Sequence, residues 1–156
     1  MAKFVAALKR EPFFRALRCD KLILSALQTT VDIYLGGAAE ASIPALALTR
    51  AGVTELRTRA EAMAVALAGA GLAARVSECK SQVGGGTLPR SAIPSAAIDM
   101  APPGMTLSAF AARLRLGAPP VIGCLADGRL RLDLRTIFPG QDDAVIRAIR
   151  TALAPP

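Results

Sequence analysis

Apolar positions recur most clearly after Asp20, where Leu24, Leu27, Val31 and Leu35 return near the 3.6-residue period until Gly36-Gly37 interrupts it. That spacing predicts a helix, with Asp20 placed to cap its N-terminus and the glycines to end it. Pro44 leaves room only for a short helical piece over residues 45–49, and Gly52 breaks the pattern again. Thr54 is then expected to cap a second long helix, with Leu56, Ala60, Met63 and Leu67 as its buried stripe and Gly69 and Gly71 as its end. Residues 72–79 turn strand-like. The following Ser81-Gln82-Val83-Gly84-Gly85-Gly86 is too rich in glycine for a helix interior and reads as a loop. Prolines 89, 94, 102 and 103 punctuate the next stretch and leave one short strand over 96–100. Thr106 caps a brief helix that carries Leu107, Phe110, Ala111 and Leu114 on one face.

Residues 121–125 and 130–134 flank Asp127-Gly128, the pair that a type I′ hairpin turn prefers. In the second strand Leu130, Leu132 and Leu134 alternate with Arg129, Arg131, Asp133 and Arg135, which predicts one buried and one wet face. Asp142 and Asp143 open a final helix that carries Arg147 and Arg150 towards its end, an order that suits the helix dipole. The sum is a small α+β domain, an antiparallel sheet with helices packed on it. The expected division is a basic lead-in over residues 1–19 and one domain over 20–156.

Composition narrows the chemistry. The 156 residues contain no histidine, which removes Ser-His and Cys-His nucleophiles and the commonest metal ligand. Cys19, Cys79 and Cys124 are too widely spaced for a zinc site or a disulfide framework, so no metal is expected. Mean hydropathy is +0.42, yet no run reaches the roughly 18 to 20 apolar residues of a membrane span, and no signal peptide is recognisable, so a cytoplasmic protein is expected. Net charge is +7, and the first 21 residues hold six basic groups against Glu11 and Asp20. Such a concentration suits phosphate or RNA as well as a plain solvated surface.

Arg15 and Arg18 are three apart, just ahead of the helix capped by Asp20, so their guanidinium groups can project to one side of free helix-start amides, an arrangement suited to an oxyanion. Their surroundings, Arg15-Ala16-Leu17-Arg18-Cys19-Asp20-Lys21-Leu22, resemble the R-A-L-R-x-D-K-L stretch of L-seryl-tRNA(Sec) selenium transferases. Ser81-Gln82-Val83-Gly84-Gly85-Gly86-Thr87-Leu88-Pro89 is similar to that family's S-Q-V-G-G-G-S-L-P. Pro120-Val121-Ile122-Gly123, Asp127-Gly128-Arg129-Leu130 and Leu132-Asp133-Leu134-Arg135-Thr136 are similar to its closing hairpin. Three motifs in the right order cover nearly the whole chain.

The resemblance implies the small C-terminal domain of a fold-type-I pyridoxal phosphate transferase. In that family seryl-tRNA(Sec) becomes selenocysteinyl-tRNA(Sec) with selenophosphate, and the cofactor is the electron sink. It implies Arg15 and Arg18 as ligands of the substrate anion, with Gln82 lining the same site. The family's D-K-x-x-G-G-P-Q-A-G stretch, which carries the Schiff-base lysine, is not in this sequence. Lys3, Lys9, Lys21 and Lys80 lack its context, so no catalytic residue, no cofactor-binding residue, no bound cofactor and no activity are expected of this chain alone. Cys19 stands where valine or alanine is usual and Cys124 where arginine is usual. Cys124, in an apolar strand, reads as an inert small hydrophobe. Partner surface left exposed predicts self-association or docking on a large-domain partner. A non-catalytic basic module for tRNA or a full-length partner is the alternative.

Overall fold

The structure, a computed structural model, describes residues 2–83 and 92–154. The chain divides into two compact units, Met1–Pro44 and Ala45–Pro156. The long helix after Asp20 therefore counts with the first unit, whereas the sequence reading grouped it with the second.

The first unit is helical: α1 (Ala2–Leu8), a 3-10 turn (Pro12–Arg15), α2 (Lys21–Leu35) and α3 (Ala39–Ser42). The Asp20 carboxylate accepts from the Ile23 amide at 2.9 Å, the cap its position promised. Gly36 closes α2, and Gly37 takes the left-handed φ of 75° that reverses the chain. The stripe of Leu24, Leu27, Val31 and Leu35 is exposed, and none of the unit's described residues is buried.

The second unit holds the core. Helix α4 (Pro44–Arg50) leads into α5 (Val53–Ala68), whose Leu56, Ala60, Met63 and Leu67 are buried as the period requires. Its N-cap is Gly52. Thr54 instead sits inside the first turn, where its carbonyl accepts from the Thr58 hydroxyl. Strand β1 (Ala74–Gln82) runs on through Ser81 and Gln82, which were expected in a loop; Gly84-Gly85-Gly86 lie outside the described residues.

Strand β2 (Ala92–Met100) is longer than the expected 96–100 and takes in Pro94. The reason is its neighbour: β4 pairs with β2 only from Ala97 onward, so the missing Pro94 amide costs no ladder bond. Helix α6 (Leu107–Leu116) is capped by Thr106, which accepts from the Ala109 amide at 3.2 Å. The hairpin of β3 (Cys124–Ala126) and β4 (Arg129–Asp133) turns through Asp127 (φ 51°) and Gly128 (φ 69°), both left-handed as type I′ demands. A 3-10 turn (Leu134–Thr136) and α7 (Asp142–Leu153) close the chain.

The sheet is antiparallel in the order β1-β2-β4-β3. Ala96, Ile98 and Met100 of β2, with Leu130 and Leu132 of β4, share one face and pack with α5, α6 and α7 in a single hydrophobic core. The other face carries Arg75, Ser77, Ser81, Ser95, Asp99, Arg131 and Asp133.

Candidate functional site

Arg15 ends the 3-10 turn and Arg18 lies two residues before the α2 cap; both are exposed. Asp20 already takes the Ile23 amide, so an anion beside these arginines has the amides of Lys21 and Leu22 to meet. Gln82 is the exposed last residue of β1, opposite Ala92. The two arginines are thus neighbours in the first unit, and Gln82 belongs to the second.

The polar face of the sheet was the part that sequence reasoning missed. Asp99 on β2 is fully buried, and Arg131 on β4 donates to it twice, at 2.7 and 3.0 Å. Arg75 on β1 adds a third contact at 3.4 Å. These hydrogen bonds, Arg131's foremost, hold the Asp99 carboxyl below the usual carboxylate range against the opposing effect of burial. One strand along, Asp133 accepts from the Ser81 and Ser95 hydroxyls and from the Arg135 amide. Its oxygens are engaged by three donors, so it serves as a knot between β1, β2 and β4.

Cys79 lies on the same face, where burial, seconded by the charge of Asp133, pushes its thiol up. A thiol held neutral is a poor nucleophile. Arg135, expected on the wet face, is only 4% exposed. Its Nη1 donates to the carbonyls of Leu48, Thr49 and Ala51 at 2.9 to 3.0 Å, and its Nη2 to that of Pro94 at 2.6 Å. The guanidinium thereby caps the C-terminus of α4 and ties it to β2, a role the sequence alternation misses because the strand stops at Asp133 and Arg135 sits in the 3-10 turn after it. Among the described residues no cluster of three potential metal ligands occurs, and no helix is long and apolar enough to cross a membrane.

These features define an α+β domain with an exposed arginine pair on a capped helix start and a polar sheet face whose carboxylates are already committed. The family model described as SelA: L-seryl-tRNA selenium transferase matches residues 1–138, and the chain belongs to that family. It is 41% identical over 140 residues to the L-seryl-tRNA(Sec) selenium transferase of Salmonella heidelberg strain SL476, and 42% identical over 139 residues to that of Klebsiella pneumoniae subsp. pneumoniae. Each match covers 85% of this chain but 30% of the relative, so the chain spans under a third of these proteins' length.

Pyridoxal phosphate needs a lysine for its Schiff base and an enclosed pocket around it. Lys3, Lys9, Lys21 and Lys80 are all exposed on the surface. This chain's residues therefore do not fit as the holder of that cofactor.

Proposed function

We propose that this chain is the small C-terminal domain of a fold-type-I L-seryl-tRNA(Sec) selenium transferase, and that it supplies part of the site that receives selenophosphate while the cofactor lysine comes from elsewhere. The observation that carries this is the Arg15 to Leu22 segment: within a family member, two exposed guanidinium groups stand directly ahead of a capped helix start. Such a pair offers bidentate, charge-assisted hydrogen bonds to a tetrahedral oxyanion, with helix amides adding donors. All four lysines are exposed, and the one that lines a groove, Lys80 beside Val53, Glu78 and Pro94, stands in an open one, so the chain alone binds no pyridoxal phosphate and does not convert seryl-tRNA(Sec) to selenocysteinyl-tRNA(Sec). The exposed apolar stripe of α2 supports self-association or docking on a large-domain partner, and a tRNA substrate puts the protein in the cytoplasm.

Calorimetric titration with thiosulfate, a tetrahedral dianion like the selenium donor, tests the assignment. Saturable binding that Arg15→Ala and Arg18→Ala each weaken by about tenfold is expected, the loss of about 1.4 kcal/mol typical of a charged hydrogen bond. Unchanged binding in both variants would refute it.

A second reading has its own support in the exposed lysines and arginines of residues 3–21. They suit a non-catalytic module that binds tRNA or a full-length partner through charge. Binding of tRNA that falls steeply between 50 and about 200 mM salt would favour it, and none at low salt would end its RNA half.

A further inference from the structure

Strand β1 is an edge of the sheet, with β2 on one side only. The Pro94 carbonyl turns away from β1 to accept from Arg135, so its partner Lys80 sits in a non-hydrogen-bonded pair with it. The amide and carbonyl of Lys80 therefore face outward. Alternation along the strand sends those of Ala74, Val76, Glu78 and Gln82 outward too. Among the described residues, no backbone group beyond the sheet bonds to them. Nine residues without a proline and in unbroken register with β2 form a long, regular edge, of the kind that recruits another strand.

We propose that this edge pairs with β1 of a second copy of the chain, antiparallel about a two-fold axis through Cys79, so that the two four-stranded sheets become one. This rests on the self-association reading above and adds a surface in the second unit, distinct from the α2 stripe. The charges choose the register. Directly opposite residues share a face, so the axis passes through a residue. Placed at Glu78 it sets that carboxylate against itself, and at Lys80 it does the same with the ammonium group. At Ser77 it sets Glu78 against the partner's Val76 and Lys80 against the partner's Ala74. Only at Cys79 does Glu78 face the partner's Lys80, twice by symmetry, with Ser77 facing the partner's Ser81. Lys80, a residue that guards an isolated edge, is neutralised in that register. Glu78 bonds Arg57 of its own α5 through Oε1 at 2.5 Å, and Oε2 remains for the partner's ammonium group. The α5 stripe above this edge continues from Arg57 through Glu61 to Ala64 and Ala68, small residues that leave room for the partner's α5.

In this register the two Cys79 residues form a non-hydrogen-bonded pair with Cα atoms about 4.5 Å apart, inside the range a disulfide spans. The test uses Cys19→Ser/Cys124→Ser, in which Cys79 is the one remaining thiol of the three. Diamide, applied at alkaline pH so that the raised Cys79 thiol ionises, joins two thiols as a disulfide and takes up their two hydrogens to become the hydrazine. A covalent dimer comprising most of the protein is expected, lost on reduction and absent when Cys79→Ser is added. Sedimentation of the unmodified chain separates the two ideas: a dimer that diamide does not link overturns the β1 pairing alone, and a monomer at every concentration overturns self-association with it. Charge exchange reads the register without chemistry. Glu78→Lys and Lys80→Glu should each weaken the dimer by about tenfold, and the double variant should restore it. A double variant no better than the singles overturns the register.

Discussion

Asp99 keeps its charge inside the sheet because Arg131 reaches across from β4 with two hydrogen bonds and leaves its own outer side in water. Asp99→Asn preserves the volume and removes the charge, so it should cost about 2 kcal/mol at pH 7, the worth of hydrogen bonds to a charged group. The sign with pH follows from the direction of the shift. A carboxyl held below its unfolded pKa of about 3.9 contributes fully above that value, and its contribution drains away as pH falls through the folded pKa. Urea unfolding of both proteins at pH 7 and pH 3 should show the gap narrowing at pH 3, and a gap of the same size would contradict the assignment. The alternation in the sequence marks Arg131 and Arg135 alike as outward residues, but the strand ends at Asp133 and Arg135 lies in the 3-10 turn that follows. Arg131 is therefore partly exposed beside a carboxylate, while Arg135 is turned in and buried against four carbonyls.

Elements whose logic lies within a few residues formed where the pattern put them. Asp20 and Thr106 cap their helices, Asp127-Gly128 makes its turn, and the α5 stripe is buried. One local expectation failed, since Gly52 and not Thr54 caps α5, and other errors fall where a neighbour from far along the chain decides. Pro94 argued for a break, yet β2 absorbs it because β4 stops short. Gly123, read as part of a hairpin motif, turns out to be a packing requirement: a Cβ there would stand 2.8 Å from the Arg131 carbonyl and 2.9 Å from a Leu132 methyl carbon. Gly123→Ala should therefore destabilise the hairpin and the fold by about 2 kcal/mol, as overpacking does. Thermal unfolding measures it, and an unchanged midpoint would show that β3 yields without cost.

All the buried residues among those described lie between Leu56 and Ala152, so the core belongs wholly to the second unit. A chain of residues 44–156 should fold by itself, with a cooperative transition and a melting temperature within about 5 °C of the full chain, since no core contact is lost. Calorimetry checks this, and a non-cooperative melt would mean that the first unit is needed for the second to fold. The arginine pair would leave with the first unit, so this shortened chain should also lose the thiosulfate binding proposed above.

The sequence by itself determined the α+β class, the family, the hairpin, the Asp20 and Thr106 caps and the buried stripe of α5, because each is set by residues within a turn or two of one another or by motifs whose order survives without coordinates. It also located the arginine pair ahead of α2. Only the tertiary structure decided the rest. Arg131 meets Asp99 across 32 positions, and Arg135 meets Leu48 across 87. Whether a charged side chain on a strand is wet or buried depends on which distant backbone and carboxylate groups the fold brings to it, and a local pattern of apolar and polar residues carries no record of that.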